Sequence, residues 1–188
     1  MYILGVWDGH ESGAALLEGN RIIYAASEER FTRRKMEIKF PFNSIKAALD
    51  YAKLKPDDIK HVSYTTTELT KTLERVMPYS KEYYYRFRRR KMLKPRFENA
   101  RHNLKYSMTS IGIVPGSSAV SSYLISRKLA HAGLKDFKLN VVEHHIAHAA
   151  TAAFTSGFNT SLVVTVDGLG DGKSGSRFVP VPDSEYVH

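Results

Sequence analysis

The amino-acid sequence predicts an α/β protein built on a mixed sheet that is covered by helices. Three observations support this class. Three short strand-like runs open the chain, single helices and strands then alternate, and a similar strand-turn-strand pattern occurs near both ends. The expected strands are residues 2–7, 14–18, 21–26, 60–66, 138–142 and 161–166, and the expected helices are 43–54, 119–132 and 147–154.

The first three strands form a meander with short turns between them. The apolar run 2–7 ends at Asp8-Gly9, and a Gly19-Asn20 turn separates the second strand from the third. Turns of this kind join antiparallel neighbours, so the opening part of the sheet should be antiparallel.

The later elements have helix and strand signals of their own. Asn43 or Ser44 is a suitable N-cap for the first long helix. The strand at 60–66 is rich in β-branched and aromatic residues. For the helix at 119–132 we expect a buried face that contains Val120, Leu124 and Ala130.

Composition sets limits on the class of protein. The 188 residues suffice for one large domain or one and a half small ones, and 43% of them are hydrophobic. Cysteine is absent, so disulfides and thiolate metal sites are excluded. No apolar run approaches the ~20 residues of a membrane span, and we expect a cytoplasmic protein without membrane contact.

A basic segment at about 68–110 contributes much of the net charge of +9. Its aromatic residues alternate with arginines and lysines, a pattern found on surfaces that bind anions or nucleic acid. The rings also fit helix faces, so we favour a helical insertion or lid and do not expect nucleic acid as a partner. The rings are Tyr79, Tyr83, Tyr84, Tyr85, Phe87 and Phe97.

Three histidines cluster where an expected strand passes into a helix. His144 and His148 are four residues apart, which places both imidazoles on one helix face, where they can share a metal ion. His145 should point about 100° away from them. The alternative is an ordinary helix start with Glu143 complementing the helix dipole. We favour the metal site.

The start and the end of the chain resemble each other. Residues 5–13 and 164–175 share a strand, an Asp-Gly turn, a Ser-Gly pair and a second strand. This repeat and the element order indicate the ribonuclease-H-like half of the actin, sugar-kinase and heat-shock ATPase (ASKHA) architecture, which has two such lobes around a cleft. An Asp at such a strand end can hold a metal, although Asp-Gly is also a common turn.

That architecture predicts how the chain is divided. Residues 1–157 would form the first ASKHA-type lobe, including the helical insertion at about 68–110. Residues 158–188 would begin a second, truncated lobe.

Four stretches together resemble the O-carbamoyltransferase family that acts on antibiotics and nodulation factors (NodU/CmcH type). They are residues 3–16, 27–35, 143–150 and 166–172, and they occur in the order of that family. The first domain of the family is in turn similar to enzymes that synthesise threonylcarbamoyladenosine in tRNA. The tail from residue 177 onwards does not continue the family pattern.

The resemblance implies a carbamoyltransferase that uses carbamoyl phosphate and ATP as substrates. A C-terminal domain would form a carbamoyl-adenylate, and the first domain would pass the carbamoyl group to the hydroxyl of a small-molecule acceptor. The resemblance also implies a divalent metal, with iron favoured, although imidazole and carboxylate ligands suit several metals.

Site residues follow from the same resemblance. His144, His148 and Asp167 would be the metal ligands, and His10 would be the base that deprotonates the acceptor hydroxyl. The glycine-rich turn that follows would face the nucleotide phosphate. Its residues are Gly168, Gly170, Asp171 and Gly172.

Most of the second lobe and the C-terminal domain are absent from the 188 residues. We therefore expect the 188-residue chain to be inactive alone. The chain would be a fragment, a truncated product or one subunit of a split enzyme whose remainder is a separate chain. Two other hypotheses stay open. One is a nucleotide- or nucleic-acid-binding module, and the other is a non-catalytic truncated lobe that forms a homodimer through its exposed cleft face.

Overall fold

The computed structural model describes residues 1–88, 97–158 and 160–178 and shows a mixed α/β protein. A five-stranded sheet with the strand order β3-β2-β1-β4-β5 lies at its centre. The prediction of a mixed sheet with helices is therefore confirmed. The strands are β1 (Tyr2–Trp7), β2 (Gly13–Glu18), β3 (Arg21–Ser27), β4 (His61–Tyr64) and β5 (Lys138–Val141).

Strand direction changes at the middle of the sheet. β1, β2 and β3 are antiparallel, as the short turns predict, whereas β4 and β5 run parallel to β1. The register aligns Leu16, Leu4, Val62 and Leu139 across four strands. The first three of these side chains are fully buried, so this row forms the floor of the hydrophobic core.

Helices account for most of the remaining described residues. None of them is both long and apolar enough to cross a lipid bilayer, within the part of the chain that the structure describes. The helices are α1 (Glu29–Thr32), α2 (Phe42–Ala52), α3 (Leu69–Val76), α4 (Pro78–Arg88), α5 (Glu98–Ile111), α6 (Ser117–His131) and α7 (His144–Thr155), with a 3₁₀ turn at Pro56–Asp58.

The face of α6 that is buried differs from the predicted one. Val120 is 42% exposed, whereas Ser121, Ile125 and Leu129 are fully buried. Apolar residues alone indicated the wrong helix face, because the buried face includes the polar residue Ser121, whose hydroxyl has a buried hydrogen-bond partner. That hydroxyl shares a 2.8 Å hydrogen bond with Thr72 Oγ1, which joins α6 to α3.

The start of α2 is capped by a distant carboxylate. The helix begins at Phe42, so the prediction that Asn43 or Ser44 is the N-cap is wrong. Instead, Glu28, which is 2% exposed, accepts hydrogen bonds from the main-chain N–H and the side chain of both residues. A negative charge at a helix N-terminus also interacts favourably with the helix dipole.

Helices occupy the described part of the basic segment, and residues 89–96 lie outside the described residues. Its rings do not all pack on the body of the protein. Tyr85 is 2% exposed and donates its hydroxyl to the Lys35 carbonyl oxygen, but Tyr79 and Phe97 are 90% and 80% exposed. Only part of the aromatic pattern therefore reflects burial.

A separate hairpin of β6 (Val163–Gly170) and β7 (Lys173–Phe178) packs against α7. The glycine-rich turn predicted to include Gly168, Gly170, Asp171 and Gly172 is shorter than expected. β6 continues through Gly170 with a register shift after Val166, and the turn itself is Asp171-Gly172. The division into lobes at residue 157 stays a prediction.

The Glu28 cap yields a prediction about stability. Replacing Glu28 with Ala should lower the free energy of unfolding by about 2–3 kcal/mol, because four donors at the start of α2 lose a charged acceptor. Urea unfolding measures this loss. Glu18→Ala is the control, since exposed Glu18 accepts only one hydrogen bond, from Tyr2. This replacement should lower the free energy of unfolding by no more than about 0.5 kcal/mol. Equal losses in the two variants would contradict the capping role.

Candidate metal centre

The side chains of His144, His148 and Asp167 converge on one point. Asp167 Oδ2 lies 2.7 Å from His144 Nε2 and 3.7 Å from His148 Nε2, and the two Nε2 atoms are 3.1 Å apart. All three potential ligand atoms lie within 4.8 Å of one another. The helix spacing therefore brings the imidazoles together, and β6 supplies the carboxylate from a separate element.

This donor set is suited to a divalent transition metal. Two imidazole nitrogens and one carboxylate oxygen leave coordination positions open for water or substrate. Burial alone would raise the pKa of Asp167, but the hydrogen bond from His144 and the nearby Gly168 N–H hold it below its usual value. The carboxylate is thus ionised and available as a ligand at neutral pH.

Residues of the glycine-rich turn support His144 rather than standing apart from it. Asp171 Oδ2 accepts a 2.7 Å hydrogen bond from the His144 main-chain N–H, which fixes the start of α7. Gly170, at the end of β6, lies close to the imidazole, because a Cβ atom there would come within 2.3 Å of the His144 ring. Gly168 and Gly170 line the adjoining cleft, whereas Gly172 packs against the backbone of Ser110.

His145 has a structural role that its sequence position did not reveal. It points away from the other two histidines, as predicted, and is fully buried between α7 and the hairpin. Its Nε2 donates to the Lys173 carbonyl oxygen at 3.1 Å, so in the neutral ring Nδ1 accepts from the Thr165 hydroxyl at 2.8 Å. This polar contact ties the helix that carries two candidate ligands to the strand that carries the third.

His10 lines the same cleft as His144 and Asp167. The cleft has a volume of about 220 Å³. The side chain of His10 is 50% exposed, and its ring meets Trp7 edge-on with 6.0 Å between ring centres. The Trp7 indole N–H donates to the His10 carbonyl oxygen at 2.7 Å, which holds the turn after β1 in place.

Asp8 is not available as a metal ligand, unlike its counterpart Asp167. It is 4% exposed and bound by Arg75, whose Nε and Nη2 donate to the two carboxylate oxygens at 3.0 and 2.7 Å. Burial opposes ionisation, but the charge and hydrogen bonds of Arg75 hold the pKa of Asp8 far below its usual range. The two Asp-Gly pairs of the sequence therefore have different roles. Asp8 forms a buried ion pair, whereas Asp167 is available to bind a metal.

The cleft also contains charged residues that the sequence did not single out. Burial raises the pKa of Glu68 to about 7, and its Oε2 accepts from the Asp171 N–H at 3.1 Å. Burial would also raise the pKa of Glu74, but Lys71 and Lys105 lower it to about 2. Helical spacing could have shown that Lys71 and Glu74 share a face of α3, although nothing in the pattern indicated a cleft.

Glu68 should make stability depend on pH. Its pKa of about 7 exceeds the ordinary 4.5, so between these values the folded chain holds a proton that the unfolded chain has lost. Stability therefore falls as pH rises through this window, by up to about 3 kcal/mol. Glu68→Gln should remove this fall, as measured by urea unfolding at pH 5 and pH 8, whereas the exposed control Glu11→Gln should retain it. An unchanged pH dependence in Glu68→Gln would contradict the prediction.

Comparison with known proteins identifies relatives along nearly the whole chain. The chain is 28% identical to the nodulation protein NolNO of Sinorhizobium fredii over 167 residues, which cover 88% of the chain and 20% of NolNO. It is 29% identical to the uncharacterized protein sll1178 of Synechocystis over 166 residues, which cover 86% of the chain and 24% of that protein. Over 61 residues it is 46% identical to the uncharacterized protein MJ1051 of Methanocaldococcus jannaschii, covering 32% of the chain and 12% of the relative.

The chain spans about a quarter or less of the length of these relatives. Residues 2–183 match a family described as carbamoyltransferase N-terminus. The match includes part of the tail after residue 177, where we expected the family pattern to stop, so that expectation is wrong up to residue 183. The protein therefore belongs to the carbamoyltransferase N-terminus family.

Proposed function

We propose that the chain is the metal- and acceptor-binding N-terminal part of an O-carbamoyltransferase. The complete enzyme would convert carbamoyl phosphate and ATP into a carbamoyl-adenylate and transfer the carbamoyl group to a substrate hydroxyl. Membership of the family supports this proposal. The observation that carries it is the convergence of His144, His148 and Asp167 beside a cleft that His10 also lines.

The topology agrees with an ASKHA-type, ribonuclease-H-like lobe. An antiparallel β1-β2-β3 meander followed by parallel β4 and β5, in the order β3-β2-β1-β4-β5, is the arrangement expected of such a lobe. The β6–β7 hairpin lies in a second sheet. We assign it to the start of the second lobe, which the longer relatives would continue.

The two histidines and one carboxylate favour iron among the divalent metals, because this ligand set with open positions is typical of non-haem Fe(II) sites. When bound, the metal supplies positive charge that stabilises negative charge developing on the transferred group. The protein's own part is to orient the ligands. Asp171 fixes the start of α7, and Gly170 leaves room for the His144 ring.

We assign to His10 the role of accepting the proton in the transfer step, because it lines the same cleft as His144 and Asp167. The acceptor oxygen attacks the carbamoyl carbon while the bond from that carbon to the adenylate oxygen breaks and AMP leaves. An imidazole can accept the hydroxyl proton near neutral pH. The His10 side chain is half exposed and lines the cleft. Gly168 and Gly170 line the same cleft, so we place the nucleotide phosphate against the glycine-rich end of β6.

Metal binding by the 188-residue chain tests the proposal. Anaerobic calorimetric titration with Fe²⁺ should show one ion per chain. His148→Ala should weaken binding at least tenfold, because loss even of a residue that only supports a ligand costs about 10–100-fold. His131→Ala is the matched control, since His131 is an exposed helix histidine away from the centre.

A pair of glycine variants tests the geometry of the same centre. Gly170→Ala should weaken Fe²⁺ binding by displacing the His144 ring, whereas Gly168→Ala should bind normally because its new methyl group would have only a 3.9 Å contact with Tyr106.

Full-affinity binding of Fe²⁺ by His148→Ala would refute the metal centre. Absence of binding in the unaltered chain would instead favour the non-catalytic lobe.

The role of His10 can be measured in a complete enzyme that contains this domain. His10→Asn should leave adenylate formation intact and slow carbamoyl transfer by about 10²–10⁴, the usual cost of losing a general base. Separate assays of AMP-forming activation and of acceptor carbamoylation distinguish the two steps. Transfer at an undiminished rate would remove His10 from the mechanism and leave the metal assignment unaffected.

A further inference from the structure

Three lysines line the cleft beside the candidate metal centre. Lys71 lies on α3, Lys81 on α4 and Lys105 on α5. The side chains of Lys71 and Lys105 are only 16% and 24% exposed, so these ammonium groups are held in the cleft rather than on an open surface. We call these three residues the lysine wall.

Among the described residues, no carboxylate forms an ion pair with Lys81 of the lysine wall. Glu74 accepts from Lys71 at 3.3 Å and from Lys105 at 2.7 Å, so one carboxylate serves two ammonium groups. Lys81 donates to the main-chain carbonyl oxygens of Asp8 and Ile38, which carry no net charge. Surplus positive charge, that of Lys81, therefore remains in the cleft.

The other acidic groups near the cleft do not remove this surplus. The Asp8 carboxylate is buried and bound by Arg75, and Asp167 is shared by the two histidines of the candidate metal centre. Glu68 has a pKa of about 7 and carries only part of a charge at neutral pH. Burial lowers the pKa of Lys81 to about 8, and the charge of Asp8 only partly opposes this shift.

Two contacts connect the lysine wall with the turn that carries His10. Lys81 binds the carbonyl oxygen of Asp8, two residues before His10. The Lys71 ammonium lies 5.0 Å from the centre of the Trp7 ring, which in turn contacts the His10 ring. A group held by these lysines would therefore lie near the proposed base.

We propose that the lysine wall binds an anionic group, a carboxylate or a phosphate, on the hydroxyl acceptor. The acceptor class would then be hydroxy acids or phosphate esters that carry a free hydroxyl, with the anion anchored by Lys71, Lys81 and Lys105. The hydroxyl would extend towards His10. This inference rests on the proposed function and adds the substrate class to it. Hydrogen bonds to charged groups of this kind are stronger than neutral ones.

Calorimetric titration of the 188-residue chain tests the inference with three small probes. Glycerol 3-phosphate and glycerate carry the two candidate anions beside a hydroxyl, and glycerol is the uncharged match. Both anions should bind, and glycerol should not. Lys71→Gln and Lys105→Gln should each weaken binding of the two anions about tenfold, which corresponds to the loss of one charge-assisted hydrogen bond.

Lys46→Gln is the matched control, because Lys46 also forms an ion pair with a carboxylate but lies exposed on α2. It should bind the anions as the unaltered chain does. Urea unfolding of each variant separates loss of binding from loss of folding, and two independent lysine variants keep the test valid if one fails to fold.

Competition with ATP separates the two sources of phosphate. If ATP displaces glycerol 3-phosphate completely, the lysines hold the nucleotide phosphate and the acceptor assignment is overturned. Failure of both anions to bind, in a chain that still binds Fe²⁺, overturns this inference alone. Anion binding that depends on Lys71, in a chain that does not bind Fe²⁺, retains the lysine wall and counts against the metal centre.

Discussion

The contact between α7 and the β6–β7 hairpin is the constraint on which the candidate site depends. Two ligands lie on the helix and the third on the strand that follows it. Buried His145 connects them through Thr165 and Lys173, and Asp171 holds the helix start. A buried polar contact of this kind is directional, so it fixes the distance and the rotation between helix and hairpin.

A second buried interaction connects α3 with the end of β1. Arg75 of α3 binds the Asp8 carboxylate at the end of β1 and also donates to the Thr66 carbonyl oxygen and the Ser121 hydroxyl. Removing one partner of a buried ion pair leaves an uncompensated charge, which is far more costly than the pair itself. The pair therefore holds α3, which carries Lys71, against the strand end that leads to His10.

These two interactions give the cleft three chemically distinct parts. Imidazole and carboxylate groups lie where α7 meets β6, an imidazole follows β1, and ammonium groups extend from α3 to α5. A transferase of the proposed kind needs this separation, because the metal, the proton acceptor and the substrate anchor act on different atoms. The basic segment, whose composition suggested nucleic-acid binding, contributes three of its lysines to the cleft, namely Lys71, Lys81 and Lys105.

The sequence by itself determined the α/β class, the antiparallel start of the sheet and the pairing of His144 with His148, because these follow from local periodicity and turn chemistry. It did not determine that Glu28 caps a helix or that Asp8 forms a buried ion pair with Arg75. Those contacts join residues far apart in the chain, and the tertiary structure alone decides which polar groups meet. Asp8 and Asp167 occupy matching sequence patterns, but Asp8 is buried in an ion pair with an arginine, whereas Asp167 is partly exposed beside two histidines and can bind a metal.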